Sequence, residues 1–253
     1  MRYTHLFLLI TLLVTCCIPA QAKAADAINV LLISGDDVAP YHDWREISEC
    51  TREVLVASPR FTVKVCEDPL ILESSTALKQ YDAIVLTIYN KSVPTITDPA
   101  KENLLDFVKN GKGFCVQHLG SASFPKWEEF TKLCGRHWVM GTSGHGPRGV
   151  FKVKVVNQDH PITTGIKDFK IFDELYSKLQ GDSDITVLAS AYSEWSKQEE
   201  PLVMCRPYGK GRSVHNALGH DFKAIKNPAM AKIIRRSVEW AATGAVAELG
   251  IKN

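Results

Sequence analysis

Ile28-Asn29-Val30-Leu31-Leu32-Ile33, ended by Ser34-Gly35, is the stretch on which the fold turns. An apolar run of this length without alternation reads as a strand buried on both faces, the situation of a parallel sheet covered by helices. The neighbouring segments agree. Residues 43–57 have helical spacing at Ile47, Cys50, Val54 and Leu55, Phe61-Thr62-Val63-Lys64-Val65-Cys66 alternates like a strand, and residues 82–88 form a second buried run. The following helix takes Asp98 as N-cap, Pro99 in its first turn and Gly111 as its stop. Residues 113–118 are again strand and 124–133 again helix. This β-α-β-β-α-β-α order over about 105 residues favours a doubly wound, mostly parallel sheet.

The second half changes character. Residues 150–156 and 185–191 are strand-like, and 201–206 with 212–217 flank Tyr208-Gly209-Lys210-Gly211. That last pair reads as an added β-hairpin whose glycines supply the turn conformations. Asn227-Pro228 opens a terminal helix that Gly244 stops. No linker, low-complexity run or repeat divides the chain, so one α/β domain is expected.

Composition excludes more than it names. The chain has 253 residues, 30 Lys+Arg against 28 Asp+Glu, 45% hydrophobic and 23% charged residues. This is an ordinary globular balance, neither disordered nor collagen-like. A net charge of +2 provides no field to recruit nucleic acid or an anionic membrane. The first 22 residues stand apart. Arg2 and His5 precede an apolar run from Leu6 to Val14, and Ala20-Gln21-Ala22 follows. A basic start, a short apolar core and a small-x-small site describe a secretory signal peptide, too short to span a membrane. Cleavage after Ala22 or Ala24 leaves a single domain over residues 23–253, periplasmic or secreted. Removing 22 residues takes away Arg2 and two of the seven Cys, leaving 231 residues at +1 with an odd five Cys and no CxxC. Cys115 and Cys205 lie in strand-like runs, Cys50 and Cys66 are the one pair left to consider, and no disulfide framework is expected.

Gly144-His145-Gly146-Pro147-Arg148-Gly149 matches GxGxxG, but it precedes a strand and contains a proline. A dinucleotide fingerprint follows a strand and opens a helix, so no nucleotide cofactor is expected. There is also no phosphate loop, HExxH or GxSxG. More informative is where polar residues fall. In an open parallel sheet, ligands bind beyond the carboxyl ends of the strands. Asp36, Asp37, His42 and Trp44 follow the first strand, Tyr89 follows the third, and His118 ends the fourth. His145, Asp173-Glu174-Leu175-Tyr176 and Gly219-His220-Asp221 come later. Each alone reads equally as a loop or turn residue; their gathering on one expected face is the signal.

These residues carry a family resemblance. Gly35-Asp36-Asp37 with His42-Asp43-Trp44, Tyr81-Asp82-Ala83-Ile84-Val85-Leu86 and Val108-Lys109-Asn110-Gly111-Lys112-Gly113 leading to His118 resemble ThuA-like, trehalose-utilisation-type domains. So do Asp159-His160-Pro161-Ile162, Phe172-Asp173-Glu174-Leu175-Tyr176, Gly209-Lys210-Gly211-Arg212, Leu218-Gly219-His220-Asp221 and Trp240-Ala241, in the family's order. The resemblance implies a flavodoxin-like fold related to class I glutamine amidotransferases. His118 stands where those enzymes carry their nucleophilic Cys, and Cys115 lies inside the strand, so amidotransferase chemistry is not expected. The chain departs from the family in placing Val38-Ala39-Pro40-Tyr41 between the acidic pair and His42.

The resemblance further implies carbohydrate use, with 3-keto-sugar derivatives made by a partner dehydrogenase as substrates. A 3-keto glycoside has an acidified C2 proton, so a general base can remove it and expel the glycosidic oxygen. On this reading Glu174 is the base or acid, supported by Asp173 and Tyr176. His118 and His220 are metal ligands or electrophilic stabilisers, with His145 a further ligand. Asp36, Asp37, His42, Trp44, Tyr89 and Asp221 hold the sugar. A mixed His/carboxylate set suits zinc or another divalent ion. Two other classes remain open, a periplasmic sugar-binding or sensing module and an interaction scaffold. A compact domain of this kind can also form a homo-oligomer.

Overall fold

The computed structural model describes residues 27–35, 41–89 and 96–247. The leader segment and Asp36 and Asp37 lie outside the described residues. Strand β1 (Ile28–Ile33) is buried except at Asn29. Its apolar run from Val30 to Ile33 follows from packing on two sides. Val30 and Leu32 join one core with Ile47, Cys50, Val54 and Leu55 of helix α1 (Trp44–Val56) and Ile233, Ile234 and Val238 of the last helix. Leu31 and Ile33 join a second core with Leu104, Phe107, Val108, Phe130 and Leu133. Successive strand side chains point to opposite faces, so a strand covered on both faces cannot afford a polar alternation.

After β1 and α1 come β2 (Phe61–Cys66), a short 3-10 turn (Pro69–Glu73), α2 (Ser75–Leu78), β3 (Ala83–Leu86), α3 (Asp98–Lys109) and β4 (Gly113–Gln117). The chain continues through a 3-10 turn (His118–Ala122), α4 (Glu128–Cys134), β5 (Gly149–Val155), β6 (Phe169–Asp173), β7 (Thr186–Ser193), β8 (Gln198–Tyr208) and β9 (Gly211–Asn216). It ends in α5 (Phe222–Ile225) and α6 (Pro228–Thr243). Asp43 caps α1 by accepting the Glu46 N–H at 3.0 Å. Helix α3 is capped by Thr97, one residue earlier than expected, with its hydroxyl accepting the Ala100 N–H; Asp98 sits in the first turn and pairs with Lys101. Helix α4 begins later than the sequence spacing suggests, because Phe124 and Lys126 adopt φ of 52° and 69° and cannot belong to a right-handed helix.

The nine strands form a mixed sheet in the order β2-β1-β3-β4-β9-β8-β7-β5-β6. The first five in this order are parallel and the remaining pairings antiparallel. The β8–β9 hairpin is therefore no appendage to a mostly parallel sheet, because β9 is its fifth parallel strand, hydrogen-bonded to β4. Gly209 and Gly211 make that insertion possible. A Cβ at Gly209 would lie 2.6 Å from Lys109 Cα, and one at Gly211 would lie 2.1 Å from the Val108 carbonyl oxygen. Strand β6 was not expected, since residues 172–176 read as a polar site segment.

Four hydrogen-bonding steps separate β9 from β6, about 19 Å in a flat sheet. Yet Asp173, at the end of β6, accepts the Gly219 N–H just beyond β9 at 2.8 Å. The antiparallel half thus curls back over the carboxyl ends of the parallel half, and this brings distant segments into one site. Cys50, Cys66, Cys115, Cys134 and Cys205 are free. No helix among the described residues is long and apolar enough to cross a membrane.

Candidate functional site

Strand β4 delivers His118 through a sharp elbow. Its φ is +44°, a left-handed conformation that costs a non-glycine residue about 1–3 kcal/mol. Gly120 permits the tight turn, because a Cβ there would lie 2.5 Å from the Leu86 carbonyl oxygen. The conformation is held from three sides. The Ser121 hydroxyl donates to the His118 carbonyl at 2.9 Å, the ring stacks on Tyr176 at 4.0 Å, and Nδ1–H donates to the Ala217 carbonyl at 2.9 Å. A carbonyl only accepts, so Nδ1 carries a hydrogen and Nε2 is the ring nitrogen left to face the site. It lies 3.5 Å from Glu174 Oε2.

Three other groups converge there. His220, after β9, brings Nδ1 to 3.1 Å from Glu174 Oε2. His42, ahead of α1, lies 5.3 Å from the His118 ring and 4.5 Å from the His220 ring between centroids. Glu174 follows β6. One ligand atom from each of His42, His118, Glu174 and His220 lies within 4.8 Å of all the others. Both His42 nitrogens, His118 Nε2 and His220 Nδ1 are buried without a well-formed hydrogen bond.

Such a cluster is costly as bare protein, since it buries ring nitrogens that need partners. Burial, then the charges of His118 and His220, push His42 down to about 3. Burial pushes Glu174 up, but the close contacts and charge of His118 and His220 outweigh it and hold the carboxyl well below the usual range. A divalent cation removes the conflict. Bonds of about 2.0–2.2 Å around a tetrahedral ion place ligand atoms about 3.4 Å apart, so the widest pair here, within 4.8 Å, closes by up to about 1.4 Å on binding. Neutral imidazoles and an ionised carboxylate are the states such an ion requires.

His145 borders this cluster without joining the four. Its Nδ1–H donates to the Gly146 carbonyl at 2.7 Å, leaving the Nε2 lone pair 3.6 Å from Glu174 Oε2 on a side chain that is 35% exposed. Of the two glycines beside it, Gly144 has a structural reason. Gly144 exchanges two main-chain hydrogen bonds with Ser177 and lies flat under Trp195, whose ring a Cβ would meet at 2.6 Å.

The remaining sequence candidates fall around the site in different ways. The Asp173 carboxylate is 1% exposed and accepts the N–H groups of Glu174, Gly219 and His220, so it is committed to the main chain. Burial pushes it up, opposed by the His118 charge and those three bonds. Tyr176 is buried between His118 and Trp138, with rings 4.0 and 4.4 Å away. Tyr89 packs with Ala122, Leu119 and Trp138. Asp221 caps α5 and pairs with Arg148 at 3.1 Å, while Trp44 starts α1 under the Arg45 guanidinium. Sequence reasoning assigned His42 to sugar binding, whereas here it shares the ligand cluster; its position at a strand end was visible, its neighbours were not. Trp138, Arg148 and Trp195 were not singled out, because no motif in the sequence marks them.

A family model for ThuA, described as trehalose utilisation, matches residues 29–241. The chain belongs to the ThuA family. Among solved structures, a ThuA-like protein from Parabacteroides merdae ATCC 43184 is 26% identical over 88% of this chain and 93% of its own, with a TM-score of 0.77. A ThuA-like protein from Bacteroides uniformis ATCC 8492 is 18% identical over 90% and 97%, with a TM-score of 0.69. A β-galactosidase from Bacillus circulans shares the fold alone, at 11% identity and a TM-score of 0.55, over 84% of this chain and 30% of the enzyme. No curated protein matches the chain significantly. Family membership gives the ThuA domain its fold; its chemistry has to be argued from the cluster.

Proposed function

We propose that this ThuA domain is a metal-dependent acid–base enzyme acting on 3-keto derivatives of glycosides. The observation that supports this is the convergence of ligand atoms from His42, His118, Glu174 and His220 beyond the ends of β1, β4, β6 and β9. The family's description, trehalose utilisation, supports carbohydrate as the substrate class. The parallel strands run β2-β1-β3-β4-β9, the 2-1-3-4-5 order of flavodoxin-like sheets, and we read the domain as flavodoxin-like and akin to class I glutamine amidotransferases. The signal-like first 22 residues support a periplasmic or secreted location.

Zinc or a similar ion, held by the four groups, would supply positive charge beside the keto oxygen as the enolate develops. The chain supplies the rest. Glu174, facing three imidazoles, acts as a ligand first, and proton transfer falls to His145, whose Nε2 lone pair lies on the open side. His145 takes the C2 proton, leaving its electron pair as the enolate. Collapse of the enolate forms the C1=C2 double bond and breaks the bond from C1 to the glycosidic oxygen. The imidazolium then returns its proton to that departing oxygen. Tyr176 and the Ala217 carbonyl keep the His118 ring oriented throughout.

The test is elemental analysis of tag-free protein purified without chelators, together with product analysis after incubation with a 3-keto-glucoside. About one divalent ion per chain and a released aglycone are expected, with turnover lost in His118→Ala and Glu174→Gln while circular dichroism is unchanged. Turnover retained in both variants would refute the assignment. Saturable binding of the keto-sugar without consumption would make the domain a binding module, and neither binding nor turnover would make it a scaffold.

A further inference from the structure

Asp173 holds a buried carboxylate directly behind the cluster, and its bonds are unusually directed. Oδ1 accepts the Glu174 N–H at 2.8 Å and the His220 N–H at 3.0 Å, and Oδ2 accepts the Gly219 N–H at 2.8 Å. Glu174 and His220 are cluster members delivered by β6 and β9, strands that are distant in the sheet order. Nothing else described above joins the main chains of these two residues. Gly219 turns through φ +117°, and a Cβ there would lie 3.0 Å from Gln117 Nε2, so the segment carrying His220 is shaped to present its N–H groups to this carboxylate.

We infer that Asp173 is the positioning residue of the metal cluster, a main-chain clamp that sets the spacing between Glu174 and His220 without touching ion or substrate. This rests on the metal-centre reading proposed above. A carboxylate suits the task because both oxygens accept, whereas the amide of an asparagine would turn an NH2 group toward one of the three N–H donors. Its bonds to charged oxygen are also the stronger kind. Outer groups that orient ligands change metal affinity by about 10–100-fold when removed.

The experiment titrates the chelator-treated full chain with Co2+, reading affinity and the visible absorption bands, which report coordination geometry. Asp173→Asn is expected to weaken Co2+ about 10–100-fold and to shift the bands. Asp173→Glu keeps the charge but extends the carboxylate by one methylene, so positioning predicts the same loss. Asp168→Asn is the control. Asp168 also accepts a main-chain N–H, from Val155 at 3.0 Å, and pairs with Lys152, but lies before β6 and away from the cluster. It is expected to bind within twofold of the wild type. Wild-type affinity in Asp173→Asn, or rescue by Asp173→Glu, would overturn the inference. Should the Asp173 variants fail to fold, hydrogen exchange of the metal-free wild type decides: slow exchange at the Glu174, Gly219 and His220 amides supports the clamp, and loop-like exchange overturns it. Should the wild type bind no metal, the proposed function fails by itself, and the same exchange data still judge the clamp.

Discussion

His215 on β9 gives the sharpest quantitative prediction. Its side chain is fully buried, and neither ring nitrogen has a well-formed hydrogen bond. Burial, then the charge of His137, pushes it down to about 3, with the Arg136 main chain pulling weakly the other way. An unfolded histidine titrates near 6.5. Above that value both states are neutral and the group adds no pH dependence. As pH falls below it, the unfolded chain takes up a proton that the folded chain refuses, so stability is lost from about pH 6.5 down to the folded value of about 3. Between pH 7 and pH 5 the loss is about 2 kcal/mol, and near pH 5 the slope approaches about 1.3 kcal/mol per pH unit. His215→Leu keeps an apolar group of similar bulk and removes the proton site. Urea unfolding at pH 7 and pH 5, with chelator present to uncouple any metal, should show the variant losing about 2 kcal/mol less than the wild type. His42 contributes in both proteins and cancels in the difference. If the variant's stability falls as steeply as the wild type's, His215 is not held neutral and the reasoning fails.

Gly120→Ala should destabilise the fold by about 1–3 kcal/mol, because its Cβ meets the Leu86 main chain, which cannot swing aside; chemical denaturation measures this. Gly144→Ala is the contrasting case. Its Cβ meets the rim of the half-exposed Trp195 ring, which can move, so stability should change by under about 1 kcal/mol while turnover drops as His145 shifts. Equal loss of stability in the two alanine variants would contradict this distinction.

Strands β1 and β4 were legible because burial on both faces leaves only one polar position in each, Asn29 and Gln117. Helices α1, α3 and α6 were legible because apolar spacing and capping residues agreed. Strand β6 was not. Phe169-Lys170-Ile171-Phe172-Asp173 is an edge strand with Lys170 exposed, and its last residue, opposite Gly149 in the ladder, commits its side chain to the site. The curl that carries Asp173 onto Gly219 and His220 leaves no local signature, since it results from accumulated sheet geometry. The histidines could therefore be placed at strand ends from the sequence, but not against each other. His42 illustrates the gap, separated from His118 and His220 by long stretches and meeting both within one cluster. The elbow at His118 was equally hidden, because a positive φ at a non-glycine residue shows only in the backbone.

That elbow bears on which atom does the chemistry. A strained turn at the end of a central strand presents whatever side chain it carries, and here it presents an imidazole, with Cys115 three residues earlier inside β4. Burial pushes the Cys115 and Cys134 thiols far above their ordinary range and Cys205 up to about 12. At pH 8 about one Cys205 in ten thousand is thiolate, and the thiolate is the reactive form. Cys66 is half-buried on the edge strand β2. Iodoacetamide at pH 8 should therefore modify Cys66 first and leave Cys115, Cys134 and Cys205 intact, by peptide mass mapping. Turnover of a keto-sugar should survive that treatment, since no thiol among the described residues joins the cluster. A histidine-selective reagent such as diethyl pyrocarbonate should abolish turnover through His145, the most exposed imidazole of the site. Loss of turnover that tracks alkylation of Cys115 would instead return the elbow to thiol chemistry and remove His118 from the centre of the mechanism.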